Sequence, residues 1–176
     1  NEEYKGAARG TAYHRLMECL DYMAVDSESQ IHKQITALTE AKKMAYEEAQ
    51  CIRIQDIMTF LHSEIGQRMK KAFEADQLYR EQPFVLAQSM KNIEKDWNGE
   101  ETVLVQGIID AYFIEDEEIV LVDYKTDRVR KGEEQHLIDL YHTQLEDYAQ
   151  ALERMLQKKV KETYIYSFAL GKMIPV

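Results

Sequence analysis

The stretch that decides the fold is QGIIDAYFIEDEEIVLVDYKTDRV, running from Gln106 to Val129. It sets strand-forming apolar residues on both sides of an acidic tip, Glu115-Asp116-Glu117-Glu118, yet carries Asp110, Asp123 and Lys125 inside the apolar runs. This pattern predicts a β-hairpin with strands from about Val103 to Ile114 and from Ile119 to Thr126. With Asp116-Glu117 as the turn, Glu115 pairs with Glu118, and counting outward brings Asp110 opposite Asp123. A symmetric four-residue loop gives the same pairing. Directly opposed residues share a face with Cβ atoms about 4.5–5.5 Å apart. Lys125 joins that face by the period of two, while Ile109, Ala111, Val122 and Tyr124 are expected on the other.

Two opposed carboxylates repel, so they should weaken the hairpin that holds them. A divalent cation between them removes the repulsion and offers the hard oxygen coordination that Mg²⁺ prefers. Lys125 beside it can hold a nucleophilic water or an anionic oxygen. The plainer alternative is a surface ion pair between Asp123 and Lys125, with Asp110 on a solvated face. Spacing alone leaves both readings open.

Outward from the hairpin, the first half of the chain reads as helical. Tyr13, Leu16, Met17 and Leu20 predict a helix from about Thr11 to Met23. A Ser cap at SESQ opens a second helix carrying Ile31, Ile35 and Leu38. Ile54, Ile57, Met58 and Leu61 mark a third, and Ser63 caps a fourth with Ile65, Met69 and Phe73. The segment LYREQPFVLAQSM, with Pro83 inside, is expected as a strand pair or an edge strand, because proline cannot donate to a ladder. Asn98-Gly99 signals a turn before the hairpin. After it, Leu137, Leu140, Tyr141, Leu145, Tyr148, Leu152 and Leu156 predict a long helix from about Glu133 to Gln157, and TYIYSFAL a last strand. Helices, strands, a helix and a strand imply an α/β or α+β domain with a mixed central sheet flanked by helices. A mostly helical part, 1–76, precedes a catalytic part, 77–176, within one domain.

The 176 residues suit one domain of ordinary core size, and the net charge of −10 argues against a free-standing nucleic-acid binder. It leaves room for an enzyme gathering carboxylates around a cation. Cys19 and Cys51 are too few for a disulfide framework, a zinc site or an iron–sulfur cluster, and are read as thiols of a reducing, cytoplasmic compartment. No apolar run approaches the roughly 20 residues that cross a bilayer, so no membrane association is expected. The start at Asn1, without a methionine, is what an excised piece of a longer chain would show. No G-x-x-x-x-G-K-[ST] loop is present, so no ATP site is expected in this chain, and a saturable ATP isotherm would contradict that.

GIIDAYF followed by IVLVDYKTD resembles the D…D-x-K core of the PD-(D/E)XK nuclease superfamily. The stretch YHTQLEDYAQAL, from Tyr141, is similar to the Y-x-x-Q-x-x-x-Y helix of its RecB-like branch, GTAYHRLME to that branch's leading helix, and YREQPF to the segment before its hairpin. These matches extend from about Gly10 to Leu170, in family order. Within the branch, the fit is to the C-terminal nuclease domain of helicase–nuclease subunits of the AddA (RexA) type. Branches of the AddB and Cas4 type carry four cysteines for a cluster, and this chain has two.

The resemblance implies a restriction-endonuclease-like core with a helical N-terminal extension. It implies Asp110, Asp123, His14 and the backbone carbonyl of Tyr124 as ligands of Mg²⁺, or of Mn²⁺ in its place. Lys125 would orient the attacking water and stabilise charge growing on the phosphate. Gln144 and Tyr148, one helical turn apart and so on one face, would look into the site; otherwise they are a helix-face amide and a core aromatic. Glu81 corresponds to an additional acidic residue, or is a solvated strand charge. Tyr141 is expected near the lysine or the DNA, and Arg128, Arg130 and Lys131 near DNA phosphates, although a charged loop is usually only solvated. His32, His62, His136 and His142 are read as structural. The expected function is a metal-dependent DNase acting on single strands from helicase domains of the same full-length chain. A second subunit of the AddB/RexB type is expected as partner, in bacterial double-strand-break processing and recombinational repair. The rivals are a non-catalytic nuclease-like module for docking or strand guiding, and a stand-alone nuclease of the superfamily.

Overall fold

The computed structural model describes residues 2–176. Five helices come first: α1 (Glu2–Cys19), α2 (Glu28–Glu40), α3 (Tyr46–Ala49), α4 (Ile54–His62) and α5 (Glu64–Glu74). The rest is β1 (Leu78–Ser89), α6 (Met90–Ile93), β2 (Thr102–Glu115), β3 (Glu118–Lys125), α7 (Glu134–Leu156), β4 (Val160–Ser167) and β5 (Lys172–Pro175). The strands lie in the order β1-β2-β3-β4-β5. All neighbours are antiparallel except β3 and β4, which α7 links as a parallel crossover. The result is the α+β arrangement expected, with one apolar cluster between the sheet and α1–α5 and a second beneath α7.

The hairpin forms in the expected register, from Glu115↔Glu118 to Ala111↔Val122. Its tip residues Asp116 and Glu117 both have positive φ, 53° and 65°, the backbone of a type I′ turn whose twist matches the strands. Both Ser caps are present: Ser27 accepts from the Gln30 amide and Ser63 from the Gly66 amide. Pro83 sits in β1, one continuous edge strand rather than a strand pair. Other boundaries differ from expectation. The leading helix begins at Glu2 and stops at Cys19, where Arg80 takes the carbonyls of Met17 and Leu20 (3.1 and 2.7 Å) and turns the chain away. The last predicted strand is shifted to 160–167, and β5 follows it across Gly171, whose φ of 62° suits a residue without Cβ.

One ion network ties the helical part to the sheet. Arg68 on α5 grips Glu115 with both arms of its fork (Nε to Oε2 3.1 Å, Nη2 to Oε1 2.8 Å) and also reaches Glu162, while Lys161 adds a bond to Glu115 at 2.9 Å. The Arg68 fork, aided by Lys161, holds the Glu115 carboxyl down at about 2. A carboxyl depressed in the folded state contributes stability above its unfolded pKa, about 4.3, and loses it as pH falls through the folded value. Melting temperature should therefore drop between about pH 4.5 and 2 in the native chain. Glu115→Gln should melt lower at neutral pH, with the gap closing on acidification. A gap independent of pH would refute this account of the network.

Candidate active site

Beyond Ala111↔Val122 the hairpin ladder stops, and the next residues in register are Asp110 and Asp123. An Asp110 Oδ2 takes the backbone N–H of Tyr124 at 2.9 Å. On the other side, β1 pairs Arg80↔Ala111 and Gln82↔Ile109, leaving Glu81 facing Asp110 outside the ladder, at φ 51°. A glutamate in the left-handed region costs ~1–3 kcal/mol and persists only where its surroundings impose it. The distortion corrects one expectation: Ile109 packs in the α7-side cluster, while Ala111, Val122 and Tyr124 pack against α1–α5. Strict alternation fails between Ile109 and Ala111, beside the position where Glu81 leaves the ladder with positive φ.

His14 enters from α1. Its Nδ1 lies 2.9 Å from the Gly10 carbonyl, so that nitrogen donates, and its Nε2 faces Asp110 Oδ2 at 3.1 Å. With Nδ1–H held by Gly10, Nε2 donates to Asp110 in the protonated ring and is the nitrogen whose lone pair is freed when the ring loses a proton, the orientation a metal-binding imidazole needs. Without a cation, burial disfavours charge on the ring, but the bond and charge of Asp110 outweigh it and raise His14 to about 9. Burial likewise works against ionised Asp110, and the His14 bond with the Tyr124 amide wins, holding it below the usual carboxylate range. A Cβ at Gly10 would stand 3.3 Å from Thr126 Oγ1, a tight contact that the threonine side chain would have to ease.

Asp123 is 3 % exposed. Lys125 Nζ lies 2.9 Å from its Oδ2 as an ion pair, but off the direction a hydrogen bond requires. That oxygen has no hydrogen-bond partner among the described residues. Burial first, then the charge of Asp110, push the Asp123 carboxyl above its ordinary range. Lys125 also meets Gln144 Oε1 at 3.3 Å and lies 3.8 Å from the centre of the Tyr141 ring. The surface-pair reading of Asp123 and Lys125 does not describe this arrangement, because both side chains are largely buried, 4 % and 15 % exposed.

The remaining expected residues divide. Tyr148 is a core aromatic, edge-on to Phe84 at 5.2 Å. Burial and the charges of Asp123 and Asp110 push its phenol up to about 12, so it also senses the site. Glu81 lies close enough to feel Asp110 and Glu18: burial, then those charges, raise its carboxyl. Arg128, Arg130 and Lys131 are exposed on the loop between β3 and α7. Sequence reasoning missed Arg9, which donates to the Thr126 carbonyl (3.3 Å) and to Asp56 (3.3 Å) and stacks on Tyr13, tying α1 to the end of β3. It also missed Asp127, which accepts from the Tyr141 hydroxyl at 2.6 Å. Its only sequence signal was its place in the quoted stretch.

Among the described residues no three His, Cys, Asp or Glu side chains stand preformed as a cation cage. The donor chemistry nevertheless fits a hard divalent ion: a buried Asp123 carboxylate whose Oδ2 has no hydrogen bond and only the Lys125 ammonium beside it, a second carboxylate opposite it, and an imidazole nitrogen oriented by Gly10.

Comparison with known proteins identifies the family. Residues 1–172 match the sequence profile of the PD-(D/E)XK nuclease superfamily. The chain is 42 % identical over 164 residues to an ATP-dependent helicase/nuclease subunit of Alkaliphilus metalliredigens, covering 92 % of this chain and 14 % of that protein. Proteins of the same name from Clostridium perfringens (strain 13) and Syntrophomonas wolfei share 36 % and 35 % identity over 99 % and 97 % of the chain, again 14 % of their own lengths. The chain thus spans about one seventh of these relatives. The solved structure of SSO0001 aligns over 93 % of this chain and 63 % of its own at 16 % identity, with a TM-score of 0.39. That likeness is too loose to add to what the sequence comparisons give.

Proposed function

Because the chain belongs to the PD-(D/E)XK nuclease superfamily, we propose that it is a metal-dependent deoxyribonuclease domain that hydrolyses DNA phosphodiester bonds. The observation that carries the reading is the buried Asp123 carboxylate in mid-sheet, set beside Asp110 and ion-paired with Lys125 through an oxygen that has no hydrogen bond among the described residues. Asp110, Asp123, His14 Nε2 and the Tyr124 carbonyl would hold Mg²⁺ or Mn²⁺. Such an ion, when bound, acidifies water and neutralises phosphate oxygens.

The chain's own residues do the rest. Lys125, set between Asp123, Gln144 and Tyr141, presents an ammonium to the attacking water or to a phosphate oxygen as charge grows there. Glu81, at the rim of the carboxylate pair and raised by burial, is suited to accept a proton from water. Tyr148 backs the Asp123 side of the site, and Arg128, Arg130 and Lys131 line the approach for phosphates.

The relatives' name, which joins helicase and nuclease in one polypeptide, supports a wider setting. In it the chain is one nuclease domain of a longer polypeptide, receiving single strands unwound by helicase domains. A second helicase–nuclease subunit takes part in end processing for recombinational repair in the bacterial cytoplasm. A net charge of −10 fits a domain to which the strand is delivered.

The test is cleavage of labelled single-stranded DNA with Mg²⁺ or Mn²⁺ and with chelator. Cutting should need the cation, and Lys125→Ala should lower it by roughly 10²–10³-fold without weakening cation binding measured by calorimetry. Cutting in chelator, or none together with no cation binding, would defeat the reading in favour of a non-catalytic module.

A further inference from the structure

Lys125 has three partners, and one of them must give way when the site is loaded. Its Nζ lies 2.9 Å from Asp123 Oδ2, 3.3 Å from Gln144 Oε1 and 3.8 Å from the Tyr141 ring centre. A cation taken up by Asp123 shares that carboxylate's charge, so the strongest attraction on the ammonium weakens at the moment its position matters. The amide oxygen and the ring face are then left to hold it. A ring face attracts a cation only while it stays under it, and Tyr141 is half-exposed on α7, eight residues into the helix.

What holds the ring is Asp127. The Tyr141 hydroxyl donates to Asp127 Oδ2 at 2.6 Å, the short distance of a charge-assisted O–H···O⁻ bond. Asp127 lies two residues beyond Lys125, just after β3, so the bond ties the strand end to α7 through the ring that faces the ammonium. Donation to a carboxylate also pushes electron density into the phenol and deepens the negative face that Lys125 sees. Asp127 stands outside the carboxylate pair, and its link to the site runs through Tyr141.

We propose that Asp127 is a positioning residue: through its bond to Tyr141 it keeps an aromatic face beneath Lys125, a cation-independent anchor that holds the ammonium when Asp123 turns to the metal. As a statement about catalysis this rests on the nuclease reading; as a statement about where Lys125 is held it does not.

The test uses the 176-residue chain with two readouts. The first is NMR of isotope-labelled lysine, with Lys125 assigned by its loss in Lys125→Arg. Its ε-methylene resonance should lie upfield of the other lysines because of the Tyr141 ring. It should return toward them in Tyr141→Leu, move partway in Asp127→Ala, and stay near its native place in Asp127→Asn, which keeps an acceptor oxygen. The second is steady-state cleavage. Asp127→Ala and Tyr141→Phe should each lower kcat on the order of tenfold with KM for DNA little changed, and the double variant should be no worse than either, since both break one bond. Tyr141→Leu should lose more, and Asp127→Asn should recover most of the rate. An unmoved Lys125 resonance in Asp127→Ala overturns the proposal, as do losses that multiply in the double variant or fall on KM, which would make Tyr141 a DNA contact instead. If the native chain cuts nothing, the resonance alone decides the anchor, and cation binding by calorimetry decides the nuclease reading separately.

Discussion

Asp123→Asn is expected to lower cleavage on the order of 10³-fold or more, about 4 kcal/mol in barrier, while raising the melting temperature of the cation-free protein. The two effects share one cause. Asn keeps the shape of the side chain but not the charge that a cation would bind, and it also removes the charge that burial and Asp110 make unfavourable. An acid whose pKa is raised by folding contributes stability at low pH and loses it as pH rises through the folded value. The advantage of Asp123→Asn should therefore grow from acid toward neutral pH and vanish below the unfolded carboxylate range. Adding Mn²⁺ or Mg²⁺ should stabilise the native chain and leave the variant nearly unmoved. A variant that melts lower than the native chain at pH 8 without metal would show that Asp123 is a structural ion-pair partner first.

Gly66→Ala should be the most damaging single substitution outside the site. Helix propensity alone predicts a gain of about 1 kcal/mol, since Gly66 lies in the first turn of α5. Packing reverses the sign. A Cβ at Gly66 would stand 2.0 Å from the Phe60 carbonyl oxygen, 2.9 Å from its carbon and 3.0 Å from Leu61 Cα, all backbone atoms that cannot rotate away. The Ser63 cap, accepting from the Gly66 amide at 3.1 Å, fixes the approach of α5 to the end of α4. Forcing the helices apart should cost roughly 3 kcal/mol or more, read as a lower denaturant midpoint at unchanged slope. It should also reach the site, because Phe60 packs edge-on against Tyr124 of β3 (6.1 Å) and Tyr166 of the adjoining β4 (4.9 Å). A stability equal to the native chain's would mean that α4 and α5 can slide.

The hairpin and the approach of its two carboxylates were legible because they are local. Polar tip, apolar flanks and a period of two suffice to place Asp110 against Asp123, and the register follows from symmetry about Asp116-Glu117. Helix faces and Ser caps are likewise written in short windows. What escaped depends on residues distant in the chain. Arg80 ends α1 from a strand sixty residues away, and no window around Leu20 contains it. The four residues of β5 are too few to show a period, and they form a strand because β4 offers an open edge. The break in alternation at Ile109 lies beside Glu81, a residue of the neighbouring strand whose positive φ no window around Ile109 reveals. Asp127 was visible as a letter but not as a partner, because its bond to Tyr141 depends on how the loop after β3 turns.

His14 and Asp110 touch although 96 residues separate them in the chain. The two carboxylates come from near neighbours in one hairpin, whereas the imidazole reaches them only through the docking of α1 on the sheet, a contact that closes a long loop. A partly unfolded chain that keeps the hairpin would display both acidic residues without that nitrogen. On the nuclease reading proposed above, with His14 in the donor set, competence to cut a strand would then wait on tertiary structure, a safeguard supplied by topology alone.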